Sequence, residues 1–171
     1  MRVYIIRHSV RESPEDFEDA EEGDPEAELT EEGEAIAHAV GQWMAEHDEI
    51  PTVILASPTV RGQQTAHMIA EAIEDAGYVA PEVQTDAMIG PHMSIRGTLL
   101  KVGADEAMEK VALVSHRGAI QEGLRQLDKD GTKPTPMSMG ELRVVKVKRK
   151  TGRWEEKERV LPSDLGFGDT Y

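Results

Sequence analysis

Apolar residues in this chain fall into short β-branched runs separated by stripes at helical spacing. Val3 to Ile6 is such a run, and it stops abruptly at Arg7 and His8. That is the pattern of a buried parallel strand delivering polar groups at its carboxyl end, where ligands of open α/β sheets bind. At Thr30 the period changes. Thr-Glu-Glu-Gly reads as a helix start, with Gly33 where a capping box would carry Glu, and acidic residues in the first turn suit the helix dipole. Ile36, Val40, Trp43 and Met44 then share one face, which predicts a helix to about Glu46 or His47.

Thr52 to Ala56 reads as a second buried strand. Ser57-Pro58 follows, with the proline placed for the first turn of a helix that runs to about Ala76 and buries Ala66, Ile69, Ala70 and Ile73. Glu82 to Thr85 is a weaker third strand, and Val111 to Ser115 a strong fourth that ends at His116. A helix from about Ala119 to Leu127 comes next. Leu142 to Lys148 alternates apolar with basic residues as an edge strand would, and Trp154 to Val160 can pair with it as a hairpin. The alternation of strand and helix predicts a three-layer α/β/α arrangement with a mostly parallel sheet. No internal repeat or linker divides the chain, so residues 1–171 read as one domain.

Composition narrows the function. A chain of 171 residues with 39% hydrophobic content can bury a sizeable core. Its 33 acidic and 19 basic residues give a net charge of −14, which disfavours nucleic acid and anionic membrane as partners. Cysteine is absent, which excludes disulfide and thiolate chemistry. The first residues run directly into a strand, and no apolar stretch approaches the roughly 20 residues that span a bilayer, so a cytoplasmic protein is expected. Between Glu12 and Glu28, ten of seventeen residues are acidic, the composition of a solvated loop that closely follows the first strand end.

Three places then present basic residues: Arg7 and His8 after the first strand, Arg61 one helical turn after the second, and His116 with Arg117 after the fourth. Each alone is a common occurrence; convergence on one crevice is what this fold class would produce. Two histidines and two arginines make a poor magnesium site, because a hard cation takes oxygen ligands, and zinc would require a third ligand. No metal or cofactor is expected. Guanidinium groups instead match a phosphoryl group, whose oxygens accept forked, charge-assisted hydrogen bonds. Beside them a neutral imidazole is a competent nucleophile for in-line attack.

These segments resemble those of the histidine phosphatase superfamily, also called phosphoglycerate mutase-like. Val-Tyr-Ile-Ile-Arg-His-Ser at the start is similar to its strand followed by Arg-His-Gly, with Ser9 in the usual place of glycine. Leu-Thr-Glu-Glu-Gly33 resembles its Leu-Thr-x-x-Gly helix start. Ser57-Pro-Thr-Val-Arg61 with Gln64-Thr-Ala66 resembles its Ser-Pro-x-x-Arg-x-x-Gln-Thr-Ala segment, and Val114-Ser-His-Arg-Gly118 the one carrying its second histidine. The blocks occur in the family's order and cover residue 1 to about 127. The resemblance implies that His8 is the nucleophile, that Arg7 and Arg61 bind phosphate, and that His116 holds the transferred phosphoryl group. Arg117 is a further candidate phosphate contact, from its position only.

The pattern breaks where the family usually carries a glutamate that protonates the leaving oxygen. Here the stretch is Thr85-Asp-Ala-Met-Ile-Gly-Pro-His92. Asp86 is the candidate acid and His92 a candidate proton donor or phosphate contact; the alternatives are a strand-end cap and a loop histidine. Glu12 and Glu15 are weaker candidates. A missing acid matters least when the leaving group is itself good, as the imidazole of phosphohistidine is. The expected function is a metal-independent phosphatase acting through phosphohistidine at His8, on a phosphorylated protein histidine or a small phosphomonoester. The competing expectation is a phosphate-binding module that recognises a phosphorylated partner without turnover.

Overall fold

The computed structural model describes residues 1–12, 24–128 and 134–170. Six strands form one sheet: β1 (Arg2–Arg7), β2 (Val53–Ala56), β3 (Glu82–Thr85), β4 (Lys110–Ser115), β5 (Leu142–Val147) and β6 (Trp154–Val160). Their order is β3-β2-β4-β1-β5-β6. The β3-β2, β2-β4 and β4-β1 pairs are parallel, while β5 runs antiparallel to both β1 and β6. Four helices connect the strands: α1 (Glu31–Glu46), α2 (Val60–Asp75), α3 (Arg96–Ala104) and α4 (Arg117–Leu127).

Side-chain alternation along β1 divides the core into two layers. Val3 and Ile5 face α3 and α4, where they meet Leu99, Val102, Ile120 and Leu124. Tyr4 and Ile6 face α1 and α2, where they meet Val40, Met44, Ile69 and Ile73. Both layers are needed because a parallel sheet must be covered on both faces. Ile36, Val40 and Met44 on α1 are fully buried, and burial of each such side chain contributes about 1.5–3 kcal/mol. Trp43 is only half-buried and stacks on His47 with ring centroids 4.1 Å apart.

The expected helix start at Thr30 is present, its hydroxyl accepting from the Gly33 amide at 3.0 Å. Gly33 has a steric reason. A Cβ there would lie 2.0 Å from the Val10 carbonyl oxygen, which also accepts from the Thr30 amide at 3.0 Å. The chain leaving the first strand therefore crosses the start of α1 at a distance that only glycine permits.

Four expectations are corrected. Pro58 lies just outside α2, which begins at Val60 with Thr59 as its cap. Helix α4 starts two residues early, directly after His116, because His116 is itself the extended cap residue. Strand β5 is interior and β6 is the edge: of the basic residues in the alternating pattern, Arg143 is buried against Glu141 while Lys146 and Lys148 are exposed. Helix α3 was not foreseen. Its nine residues include two glycines and no side-chain cap, and packing of Leu99 and Val102 on the sheet decides its conformation.

Candidate active site

The carboxyl ends of β1, β2 and β4 lie side by side, and each delivers one part of a buried basic cluster. β1 ends at Arg7 and His8, which are 6% and 1% exposed; β4 ends at His116, 1% exposed; Arg61, fully buried, enters from the first turn of α2. The rings of His8 and His116 are 5.0 Å apart, tilted by 53°.

Hydrogen bonds fix both imidazole tautomers. His8 Nδ1 lies 2.9 Å from the Ser9 carbonyl oxygen. A carbonyl only accepts, so Nδ1 carries the proton and the lone pair is on Nε2. His116 Nδ1 lies 3.4 Å from Arg61 Nη2, and a guanidinium only donates, so here Nδ1 accepts. Its Nε2–H then donates to the Ser57 hydroxyl at 2.7 Å.

Electrostatics keep these rings neutral. Burial foremost, then the neighbouring His116, Arg61 and Arg7, hold the His8 pKa well below its usual 6.5, against an opposing contribution from the Ser9 carbonyl. Burial and the charges of Arg61, Arg7, Arg11 and His92 lower His116 to about 3. Both shifts follow from desolvation and like charge. They leave histidines unprotonated beside guanidinium groups, the combination a nucleophile for an anionic centre requires.

Main-chain contacts hold the arginines. Arg7 Nη1 donates to the Met137 carbonyl at 2.7 Å, and Arg61 Nη1 to the Asp24 carbonyl at 3.0 Å. Thr65, on α2, receives the Ser9 amide and donates to the Arg61 carbonyl. The loop after His8 is thus tied to the helix that carries Arg61.

The other sequence candidates are placed as follows. Arg117 is half-buried and opens α4. His92 is exposed on the loop before α3, in the left-handed region at φ 60°, and its charge acts on His116. Asp86 is engaged as a cap: one carboxylate oxygen accepts from the Met88 amide at 2.9 Å, the other from the Thr98 hydroxyl at 2.7 Å. Glu12 is exposed, its amide bonded to the Glu28 carbonyl. Glu15 and most of the acidic stretch lie outside the described residues. The part from 24 onward packs on the start of α2, where the Pro25 carbonyl accepts from the Val60 amide.

Two participants had no assigned role in the sequence reading. Ser57 was visible only as part of a motif, and Arg11, bridged to Leu29, acts by its charge on His116, which is distant from it in sequence. Among the described residues no group of three His, Asp or Glu side chains is arranged to hold a metal ion, and no helix is long and apolar enough to cross a membrane.

Residues 3–87 match the model of the histidine phosphatase superfamily (branch 1), and the architecture of the chain is phosphoglycerate mutase-like, the fold of a phosphatase by class. Among solved structures it is similar to the protein histidine phosphatase SixA complexed with tungstate, at 18% identity and a TM-score of 0.79, covering 96% of this chain and 99% of that one. A mycobacterial glucosyl-3-phosphoglycerate phosphatase is similar at 16% identity and a TM-score of 0.69, covering 91% and 96%. At these identities the likeness establishes the fold. No curated protein matches the sequence.

Proposed function

We propose that this protein is a phosphohistidine phosphatase that works without a metal ion and carries the phosphoryl group transiently on His8 Nε2. The observation that carries the reading is the buried His8–His116 pair set between Arg7 and Arg61, with the His8 proton held on Nδ1 by the Ser9 carbonyl.

In the first step the bond from phosphorus to the substrate's leaving atom breaks as the bond to His8 Nε2 forms. The guanidinium groups of Arg7 and Arg61 take up the charge spreading over the peripheral oxygens, as metal ions do in other phosphoryl-transfer sites. His116 is placed to hold the same group. Water then attacks phosphorus as the bond to His8 Nε2 breaks; its oxygen becomes part of the phosphate, its proton passes to phosphate or solvent, and His8 returns to its neutral form.

Substrate class follows from the leaving group. An alkoxide must be protonated as it departs, whereas imidazole leaves phosphohistidine as a neutral ring when its distal nitrogen already carries a proton. Asp86, the expected acid, spends both carboxylate oxygens on Met88 and Thr98. That favours the substrate that needs no acid. It also accords with the likeness to a protein histidine phosphatase. The acidic surface fits phosphate presented on a neutral or basic protein better than a free polyanion.

The test is hydrolysis of a phosphohistidine peptide, a sugar phosphate and an aryl phosphate in the presence of chelator, with rapid-quench trapping of base-stable, acid-labile label on His8. Preference for the peptide, undiminished by chelator, is expected. Tight vanadate binding with no turnover of any of the three would instead mark the site as a phosphate-recognition module.

A further inference from the structure

The buried pair Glu141–Arg143 lies outside the cluster, yet its bonds converge on the segment that orients Arg7. Glu141 and Arg143 are each 1% exposed, and Arg143 Nε donates to Glu141 Oε1 at 2.7 Å. Placing such a pair in the interior carries a desolvation penalty, and apolar residues of similar volume often stabilise as well or better. A role in specifying local geometry is therefore worth seeking.

The partners of the pair show what that geometry is. Glu141 Oε2 accepts from the Ser138 amide at 2.7 Å. Arg143 Nη2 donates to the Thr135 carbonyl at 3.0 Å, the Thr135 hydroxyl at 3.2 Å and the Pro136 carbonyl at 3.2 Å. One ion pair thus grips residues 135, 136 and 138, on either side of Met137. The Met137 carbonyl is the acceptor that holds Arg7 Nη1 at 2.7 Å. The same turn is bonded directly to the strand end, since the Gly140 amide donates to the Arg7 and His8 carbonyls, each at 3.2 Å, and the Arg7 amide to the Glu141 carbonyl. Gly140 itself is at φ 76°, and a Cβ there would lie 2.5 Å from Ile36, so this turn has little freedom to re-form differently.

We infer that Glu141 and Arg143 are positioning residues for phosphate binding: they set the Met137 carbonyl, which sets the Arg7 guanidinium. The inference rests on the reading that Arg7 binds phosphate. Arginine suits the task because its planar fork spans a carboxylate and two carbonyls at once; a lysine ammonium, a single point charge, does not.

The experiment measures orthovanadate affinity and melting temperature for the full chain and its variants. Arg143→Lys keeps the charge but not the fork, and Arg143→Met with Glu141→Leu removes both charges at similar volume. Each is expected to raise the vanadate Kd about tenfold in folded protein, since small misplacements of a binding group have effects of this order. In an Arg7→Ala background the same changes are expected to alter Kd less than about twofold, because coupled groups are not additive. Wild-type affinity in both folded variants, or an undiminished effect without Arg7, overturns the inference. If Arg7→Ala alone binds vanadate like wild type, the phosphatase reading of Arg7 fails instead. Should the double replacement not fold, Arg143→Lys with Glu141→Gln decides the matter by the same readout.

Discussion

Strand β1 carries a polar cluster at each end, and the two ends are built on opposite plans. At the amino end Arg2 and Tyr4 both donate to Glu49, the phenol at 2.5 Å. Acid, base and hydroxyl match, and burial together with the adjacent carboxylate raises the Tyr4 pKa so that the phenol stays protonated. At the carboxyl end Arg7 and His8 join Arg61 and His116, and the imidazoles are driven towards their neutral forms. Matched charges make a closed structural contact. Gathering bases beside bases makes a place whose electrostatics favour an incoming anion.

The sharpest break between the two ends is expected from His8→Asn. Turnover of a phosphohistidine peptide should fall at least about 10³-fold, because the covalent step loses its nucleophile, while circular dichroism stays that of the wild type. Retained turnover would remove His8 from the mechanism. Next in size, Arg61→Gln should lower kcat by about 10²–10³, the usual effect of deleting one donor to developing charge. A change confined to KM would show that Arg61 binds substrate and transition state equally.

Acid should expose the same asymmetry in stability. The folded pKa values of His8 and His116 lie below 6.5, so the unfolded chain takes up protons first as pH falls. The contribution of each ring is complete above pH 6.5 and is lost as pH falls below it, for His116 on going down towards about 3, with a slope of up to about 1.4 kcal/mol per pH unit for each ring. Denaturant titrations at pH 7 and 5 measure it. His116→Gln should flatten the dependence; an unchanged slope would show that His116 titrates normally.

The smallest effect belongs to the amino end. Tyr4→Phe removes one hydrogen bond to a buried carboxylate and should lower stability by about 1.5–3 kcal/mol with kcat/KM unchanged. A loss of activity at constant fold would mean that the two ends of β1 communicate.

Much of this arrangement was legible beforehand because local chemistry and tertiary role coincide. Val3 to Ile6 reads as a buried strand and forms one, Thr30 caps where expected, and the one-turn interval from Ser57 to Arg61 puts the arginine at the mouth of α2. Legibility failed where packing overrides local pattern. Arg143 alternates with apolar residues as an edge-strand residue would, yet it is buried because Glu141 and the chain at Thr135 and Pro136 close over its guanidinium. Asp86 could be read as an acid or a cap, and its bonds to the Met88 amide and to Thr98, brought by the unforeseen helix α3, decide for the cap.

The sequence by itself determined the order of the strands and of helices α1, α2 and α4, the basic residues at three separate strand ends, and the nucleophile candidate His8. Tertiary structure alone decided the protonation of the two rings. A tautomer depends on which group faces each nitrogen, and the Arg61 guanidinium and Ser57 hydroxyl that face His116 lie 55 and 59 residues away in the chain. The bond from the Met137 carbonyl to Arg7 was likewise settled by packing, since a contact across 130 residues leaves no local pattern to read.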